Sequence, residues 1–178
     1  YERVGIVKTL GQDERVGSVT AISAVSPPGG DLSEPVTQAT LRIVKVFWGL
    51  SYSISYRRHF PAIDWIQSYS LYLNKMGKWY EENINSEWEV LRDEAMSILQ
   101  EEASLNEIVR LVGIDALSPK QRVLMESAKS IREDYLQQDA YNEIDTYASL
   151  RKQYLMLKLV LTAYHESDKA ISQGAELR

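Results

Sequence analysis

The stretch Gly17-Ser18-Val19-Thr20-Ala21-Ile22-Ser23-Ala24-Val25, running into Ser26-Pro27-Pro28-Gly29-Gly30-Asp31-Leu32-Ser33-Glu34-Pro35-Val36-Thr37-Gln38, sets the character of the first part of the chain. Small and β-branched residues over 17–25 predict a buried strand, and Pro27-Pro28-Gly29-Gly30 stops it in a turn. Asp31 or Ser33 is then placed to cap a short helix, with Glu34 in its first turn and Pro35 near its start, where a missing amide donor costs little. Val44 to Trp48 is a second strand candidate. Strand, helix, strand in this order predicts the edge of an α/β sheet.

From about Trp65 onward the pattern becomes helical. Trp88, Leu91, Ala95 and Ile98, then Leu105, Ile108, Val109 and Val112, recur at the spacing that puts apolar side chains on one helix face. Gly113 predicts a stop, and Ser118 with Pro119 behind it predicts the next start, with Leu124, Ala128, Ile131 and Tyr135 on one face. Asp145 or Thr146 is positioned to cap a last long helix containing Leu150, Tyr154, Leu157, Leu161 and Tyr164, and the polar tail from Lys169 to Arg178 is expected to fray. No internal repeat or heptad series occurs. The fold class that follows is a mixed α/β segment leading into a helical bundle, mainly helical overall.

Composition narrows the function. The chain has 178 residues, 44% of them hydrophobic, enough to bury a core. It has no cysteine, so disulfides, thiolate metal sites and cysteine nucleophiles are excluded, and its two histidines, His59 and His165, do not make a metal cluster. The apolar run from Tyr154 to Tyr164 is interrupted by Lys158 and falls short of the roughly 20 residues of a membrane span. Tyr1-Glu2-Arg3-Val4-Gly5 has neither the basic start nor the apolar centre of a signal peptide and reads as a sequence entered midway. Residues 1–80 carry 9 Lys and Arg against 6 Asp and Glu, whereas residues 81–178 carry 11 against 19. So acidic a second half argues against a nucleic-acid surface and for a protein partner. No G-x-x-x-x-G-K-[ST] segment occurs, so the residues present lack the backbone cradle and lysine that hold a nucleotide's phosphates.

Several ordered blocks carry a family resemblance. They are Lys8-Thr9-Leu10-Gly11, Asp13 to Val19, Ser26 to Gln38, Leu41 to Trp48, Arg57-Arg58-His59-Phe60-Pro61-Ala62-Ile63-Asp64, Ser68 to Tyr72, Tyr135 to Tyr141 and Gln153 to Leu159. With these the chain resembles the C-terminal part of the catalytic A (alpha) subunit of V-type and archaeal A-type rotary ATPases. The resemblance implies that residues 1–66 are the end of a RecA-like nucleotide-binding domain and residues 67–178 a C-terminal helical domain. It implies ATP or ADP with Mg2+ in the intact subunit, and no cofactor and no ATP hydrolysis for this fragment alone, the phosphate loop and catalytic carboxylates lying upstream. Its implied partners are the B subunits of a hexameric ring and the central stalk. The implied location is the cytoplasmic head, peripheral to the membrane and not inserted in it, with energy from ATP coupled to proton or sodium transport. Apolar surface left by absent strands makes artefactual self-association of the fragment an expectation. A reading from another class is a non-catalytic helical module that binds a stalk or assembly partner.

The resemblance also nominates residues. Phe60 stands where the related F-type catalytic subunit stacks an aromatic on adenine; alternatively Phe60-Pro61 only closes a sheet edge. Tyr141 follows the Gln137-Gln138 pair where the family places a second aromatic, usually phenylalanine, against the base, with Ala140 and Gln138 beside it. Pro28, Gly29 and Gly30 form a loop near the nucleotide or a subunit interface. Ile114, Asp115, Leu117 and Ser118 occupy the turn that meets the central stalk, although Pro119-Lys120-Gln121 replace the acidic continuation of the F-type pattern. The pairs Glu101-Glu102 and Glu133-Asp134 are not spaced as an acid/base dyad and read as solvated helix faces. Arg57-Arg58 is either a surface pair or a contact to phosphate or to a carboxylate across an interface. Neither histidine has a nucleophile arranged beside it, so no catalytic residue and no metal ligand is expected here.

Overall fold

The computed structural model describes Gly5, Lys8, Leu10, Gly11 and residues 16–176. Thr9 and Asp13-Glu14-Arg15 of the quoted blocks, and Leu177-Arg178 of the tail, lie outside the described residues. The chain divides into two compact units, Tyr1–Phe47 and Trp48–Arg178.

In the first unit the strand expected over 17–25 is not formed, and its residues are exposed, Val19 at 92% and Ile22 at 80%. A strand satisfies its amides and carbonyls through a neighbouring strand, and among the described residues none runs beside this stretch. The turn is present: Pro28–Gly30 makes one 3-10 turn, with Gly29 and Gly30 at φ 65° and 74°, the left-handed region that glycine enters without strain. Helix α1 (Pro35–Ile43) follows. Its cap is Glu34, not Asp31 or Ser33: the Glu34 carboxylate accepts from the Thr37 amide at 2.9 Å and its hydroxyl at 3.0 Å. Asp31 instead accepts from the Ser33 amide and hydroxyl, closing the turn ahead of the helix. Strand β1 (Val46–Phe47) falls inside the expected Val44 to Trp48 run.

The second unit contains α2 (Tyr52–Tyr56), β2 (Tyr69–Ser70), α3 (Leu73–Asn83), α4 (Trp88–Val112), α5 (Pro119–Ser130), α6 (Glu143–Thr146) and α7 (Leu150–Ser172). The spacing read from the sequence gives much of the core, to which Leu99 is added, whereas Ile108 and Val112, expected on the same face of α4, are 44% and 64% exposed. Ala95, Ile98, Leu99 and Leu105 of α4 meet Leu124 and Ala128 of α5 and Leu157 and Leu161 of α7. Each large side chain so buried contributes about 1.5–3 kcal/mol relative to exposure. Gly113, at φ 86°, ends α4, and Ser118 opens α5 with a full capping box, its hydroxyl on the Gln121 amide and the Gln121 side chain returning to the Ser118 amide.

After Ser130 the helix widens into a π-turn, Ile131–Leu136, with Ile131 1% exposed in the core. The last long helix begins later than expected. Asp145 and Thr146 belong to α6, capped by Asn142, and the cap of α7 is Ser149, whose hydroxyl accepts from the Lys152 amide at 3.2 Å. Helix α7 runs on through Lys169 to Ser172, so the first four residues of the tail expected to fray are helical. Helices α4 and α7 run parallel: Glu87 accepts from Tyr154 and Lys158, and Glu94 meets His165, two pairings seven residues apart on both helices. The ammonium of Lys158 holds the Glu87 carboxyl below its ordinary range, and that carboxylate raises the lysine in turn.

Glu102, expected on a solvated face with Glu101, is only 5% exposed. Arg132 compensates it with two bonds, Nε to Oε2 at 3.2 Å and Nη2 to Oε1 at 2.9 Å. A carboxylate in an apolar stripe is tolerated when such a fork satisfies both oxygens.

Candidate functional site: an aromatic clasp and a helical tip

Phe60 sits on a loop held from both sides. Leu50 and Ile63 form an antiparallel bridge, the Ser51 amide donates to the Ala62 carbonyl at 2.9 Å and the Asp64 amide to the Gly49 carbonyl at 2.7 Å. The loop's start is tied to α2 by the Arg58 amide on the Ser55 carbonyl at 2.8 Å. Phe60, joined to Pro61 by a cis peptide, exposes half of its surface. His59 beside it stands edge-on to Trp65, with centroids 5.5 Å apart. Partial burial, then the positive charges of Arg132 and Arg57, hold the His59 imidazole below its ordinary value, with Glu133 opposing them.

The second nominated segment comes to the first. The Gln138 amide donates to the Phe60 carbonyl at 2.7 Å, although the two residues are far apart in sequence. Beyond it the loop is knotted to itself. The Gln138 side-chain amide reaches the Asp145 carbonyl, the Asp139 amide reaches the Asp145 carboxylate, the Tyr141 amide donates to Asp139 at 2.9 Å and the Thr146 hydroxyl donates to the Ala140 carbonyl at 2.9 Å. The Tyr141 side chain is left fully exposed. Phe60, Gln138, Ala140 and Tyr141 thus lie on two segments joined by a backbone bond, and both segments present an aromatic ring to solvent. Such rings can pack on a flat apolar ligand. Among the described residues no group of three acidic or histidine side chains is arranged to hold a metal ion.

Pro28, Gly29 and Gly30 belong to the other unit and form its exposed turn. At the far end of α4, Ile114–Ala116 makes a 3-10 turn, and Arg122 braces it, with Nη2 on the Asp115 carboxylate and Nε on the Leu117 carbonyl, both at 3.3 Å. Ile114 is 51% exposed and Asp115 and Ser118 are exposed, but Leu117 is buried at 5%. Leu117 therefore anchors the turn to the core and cannot itself be a surface contact. Its place in the exposed apolar patch is taken by Leu111 and Val112, neither of which is among the residues nominated for the tip. Leu111 is 85% exposed and falls off the buried stripe of α4, a position readable in principle as an apolar residue out of phase with the core. A polar groove of about 580 Å³ between α3 and α4, lined in part by Asn74, Lys78, Asn85 and Glu89, contains none of the nominated residues.

These features define a helical domain preceded by an α/β stretch, with an aromatic clasp at one place and an apolar tip at another. Residues 77–178 match the family described as the C-terminal domain of V and A type ATP synthase, and residues 1–70 match the ATP synthase alpha/beta family, nucleotide-binding domain. The chain belongs to the V and A type ATP synthase family. It is 66% identical over 178 residues to the V-type ATP synthase alpha chains of Acetivibrio thermocellus and Clostridium botulinum strain Hall, covering 100% of this chain and 30% of each relative. The corresponding chain of Clostridium novyi is 65% identical over 177 residues, again covering 30% of the relative. The chain thus spans 30% of the length of these curated relatives. Among solved structures, an ATP synthase subunit, NeqB, from Nanoarcheaum equitans shares the fold with a TM-score of 0.65 at 22% identity, over 78% of this chain and 32% of that one. Among the described residues no helix is long and apolar enough to cross a membrane.

Proposed function

We propose that this chain serves as the end of the nucleotide-binding domain, residues 1–66, and the helical domain, residues 67–178, of an ATP synthase alpha subunit. In the intact subunit it packs the adenine of ATP or ADP between Phe60 and Tyr141, with Gln138 and Ala140 shaping the loop. The observation that carries this reading is the 2.7 Å bond from the Gln138 amide to the Phe60 carbonyl, which joins the two aromatic segments. Stacking of an aromatic ring on a base is worth about 1–3 kcal/mol. The phosphates and Mg2+ are held by residues outside the 178 present here, and so is the bond chemistry. Pro28, Gly29 and Gly30 contribute a loop near the nucleotide or the subunit interface. The tip, with Ile114, Asp115 and Ser118 and the added surface of Leu111 and Val112, meets the central stalk, while B subunits flank the chain in a ring. The head so built is cytoplasmic and peripheral to the membrane, and couples ATP hydrolysis or synthesis to proton or sodium transport.

The test is nucleotide titration of the full-length subunit carrying Phe60→Ala or Tyr141→Ala. Each change is expected to weaken ADP binding by about 5- to 150-fold, the equivalent of the stacking energy. Unchanged affinity in both would remove the adenine role. The exposed apolar tip favours the second reading, a module that binds a stalk or assembly partner without handling nucleotide; that reading gains if Leu111→Ser and Ile114→Ser abolish partner binding while both aromatic changes are silent.

A further inference from the structure

Glu102 is the one charged side chain buried among the described residues, and its partner is Arg132, the second residue of the π-turn. The side chain of Arg132 is held to α4 through two bonds, at 3.2 and 2.9 Å. Its carbonyl accepts from the Gln137 amide at 3.0 Å, five residues on, where an α-helix would bond four residues on. Gln138 comes next and bonds to Phe60. One residue therefore grips α4 with its side chain and launches the Gln138 to Tyr141 loop with its backbone. A single-residue change of register at this turn rotates everything after it by about 100° around the helix axis, which would carry the Gln138 amide away from Phe60.

We infer that Glu102 and Arg132 are positioning residues, which hold the π-turn in register on α4 and so set where the Gln138 to Tyr141 loop meets Phe60. In its bearing on nucleotide the inference rests on the adenine reading above; in its geometry it does not. Cohesion alone does not call for an ion pair here, since buried pairs are often replaceable by apolar residues of similar volume without loss of stability. What the fork adds is direction: two parallel bonds to a planar guanidinium fix its orientation, which a lysine or an apolar chain does not. The positive charge of the same guanidinium also helps to lower the imidazole of His59, the neighbour of Phe60.

The test is amide hydrogen exchange on this chain with the double variant Glu102→Leu/Arg132→Met and the single variant Arg132→Lys. The double variant is expected to keep its thermal midpoint within a few degrees and the protection of Ala128 in α5, while Gln137 and Gln138 exchange at least about tenfold faster. Arg132→Lys, which keeps the charge and loses the fork, is expected to fall between. Unchanged protection at Gln138 in both variants overturns the inference, as does a rise at Gln138 matched by an equal rise at Ala128, which marks a purely structural role. Titration of full-length subunits with ADP then separates the two levels. Weaker binding in the double variant supports both, whereas lost Gln138 protection with unchanged ADP affinity leaves the positioning role standing and removes the adenine role.

Discussion

Residues 17–25 and residues 88–112 are both rich in apolar side chains, yet the first stretch lies open and the second supplies the core. Ile22 is 80% exposed and Leu99 is 3% exposed. A helix satisfies its backbone within its own turns and needs company only for its side chains, whereas a strand needs a neighbour for both. Short-range pattern is thus enough to form α4, while a strand over 17–25 would need a neighbouring strand, and none is paired with it among the described residues.

That contrast can be tested at its strong end first. Leu161→Ala empties a fully buried site in α7 and is expected to cost about 2–5 kcal/mol in urea unfolding. A loss under about 1 kcal/mol would mean that the bundle is not the stabilising unit. Ser118→Ala removes half of the capping box of α5 and is expected to cost about 1 kcal/mol, readable as a lower urea midpoint at constant slope. A smaller, pH-dependent effect belongs to His59. Its folded value lies below the ordinary histidine value, so the unfolded chain takes up the proton more readily. Stability is therefore full above that value, declines as pH falls through the window between the unfolded and folded values, and is level below it. His59→Gln should flatten this part of the urea-midpoint profile between about pH 7.5 and about pH 5, and a slope unchanged by the substitution would assign it to other groups. At the weak end, Ile22→Ala should change stability by no more than about 0.5 kcal/mol. A clearly larger loss would show that 17–25 is packed in solution.

The same contrast explains what could be read from the sequence. The spacing of Leu91, Ala95 and Ile98, the Gly113 stop and the Ser118-Pro119 start were all legible, because they follow from bonds made within a few residues. The caps were near misses. Glu34 and Ser149 are the caps because the side-chain oxygen of each reaches the amide three residues on, in the first turn of its helix. Glu102 was misread as solvated, since a carboxylate shows its burial only through Arg132, thirty residues away. Leu117 was misread as tip surface for the related reason that Gly113 and the 3-10 turn redirect it inward. For the clasp, Phe60, Gln138 and Tyr141 were each named, but the bond that joins their segments crosses nearly half the chain and no local pattern encodes it.

The twin pairings of α4 and α7 have a mechanical consequence. Glu87 with Lys158 and Glu94 with His165 repeat at the same interval on two parallel rods, so sliding one rod by a single turn, about 5.4 Å, would unseat both pairings together. The two pairings act as a vernier: each alone is weak, but only one axial setting of α7 on α4 satisfies both.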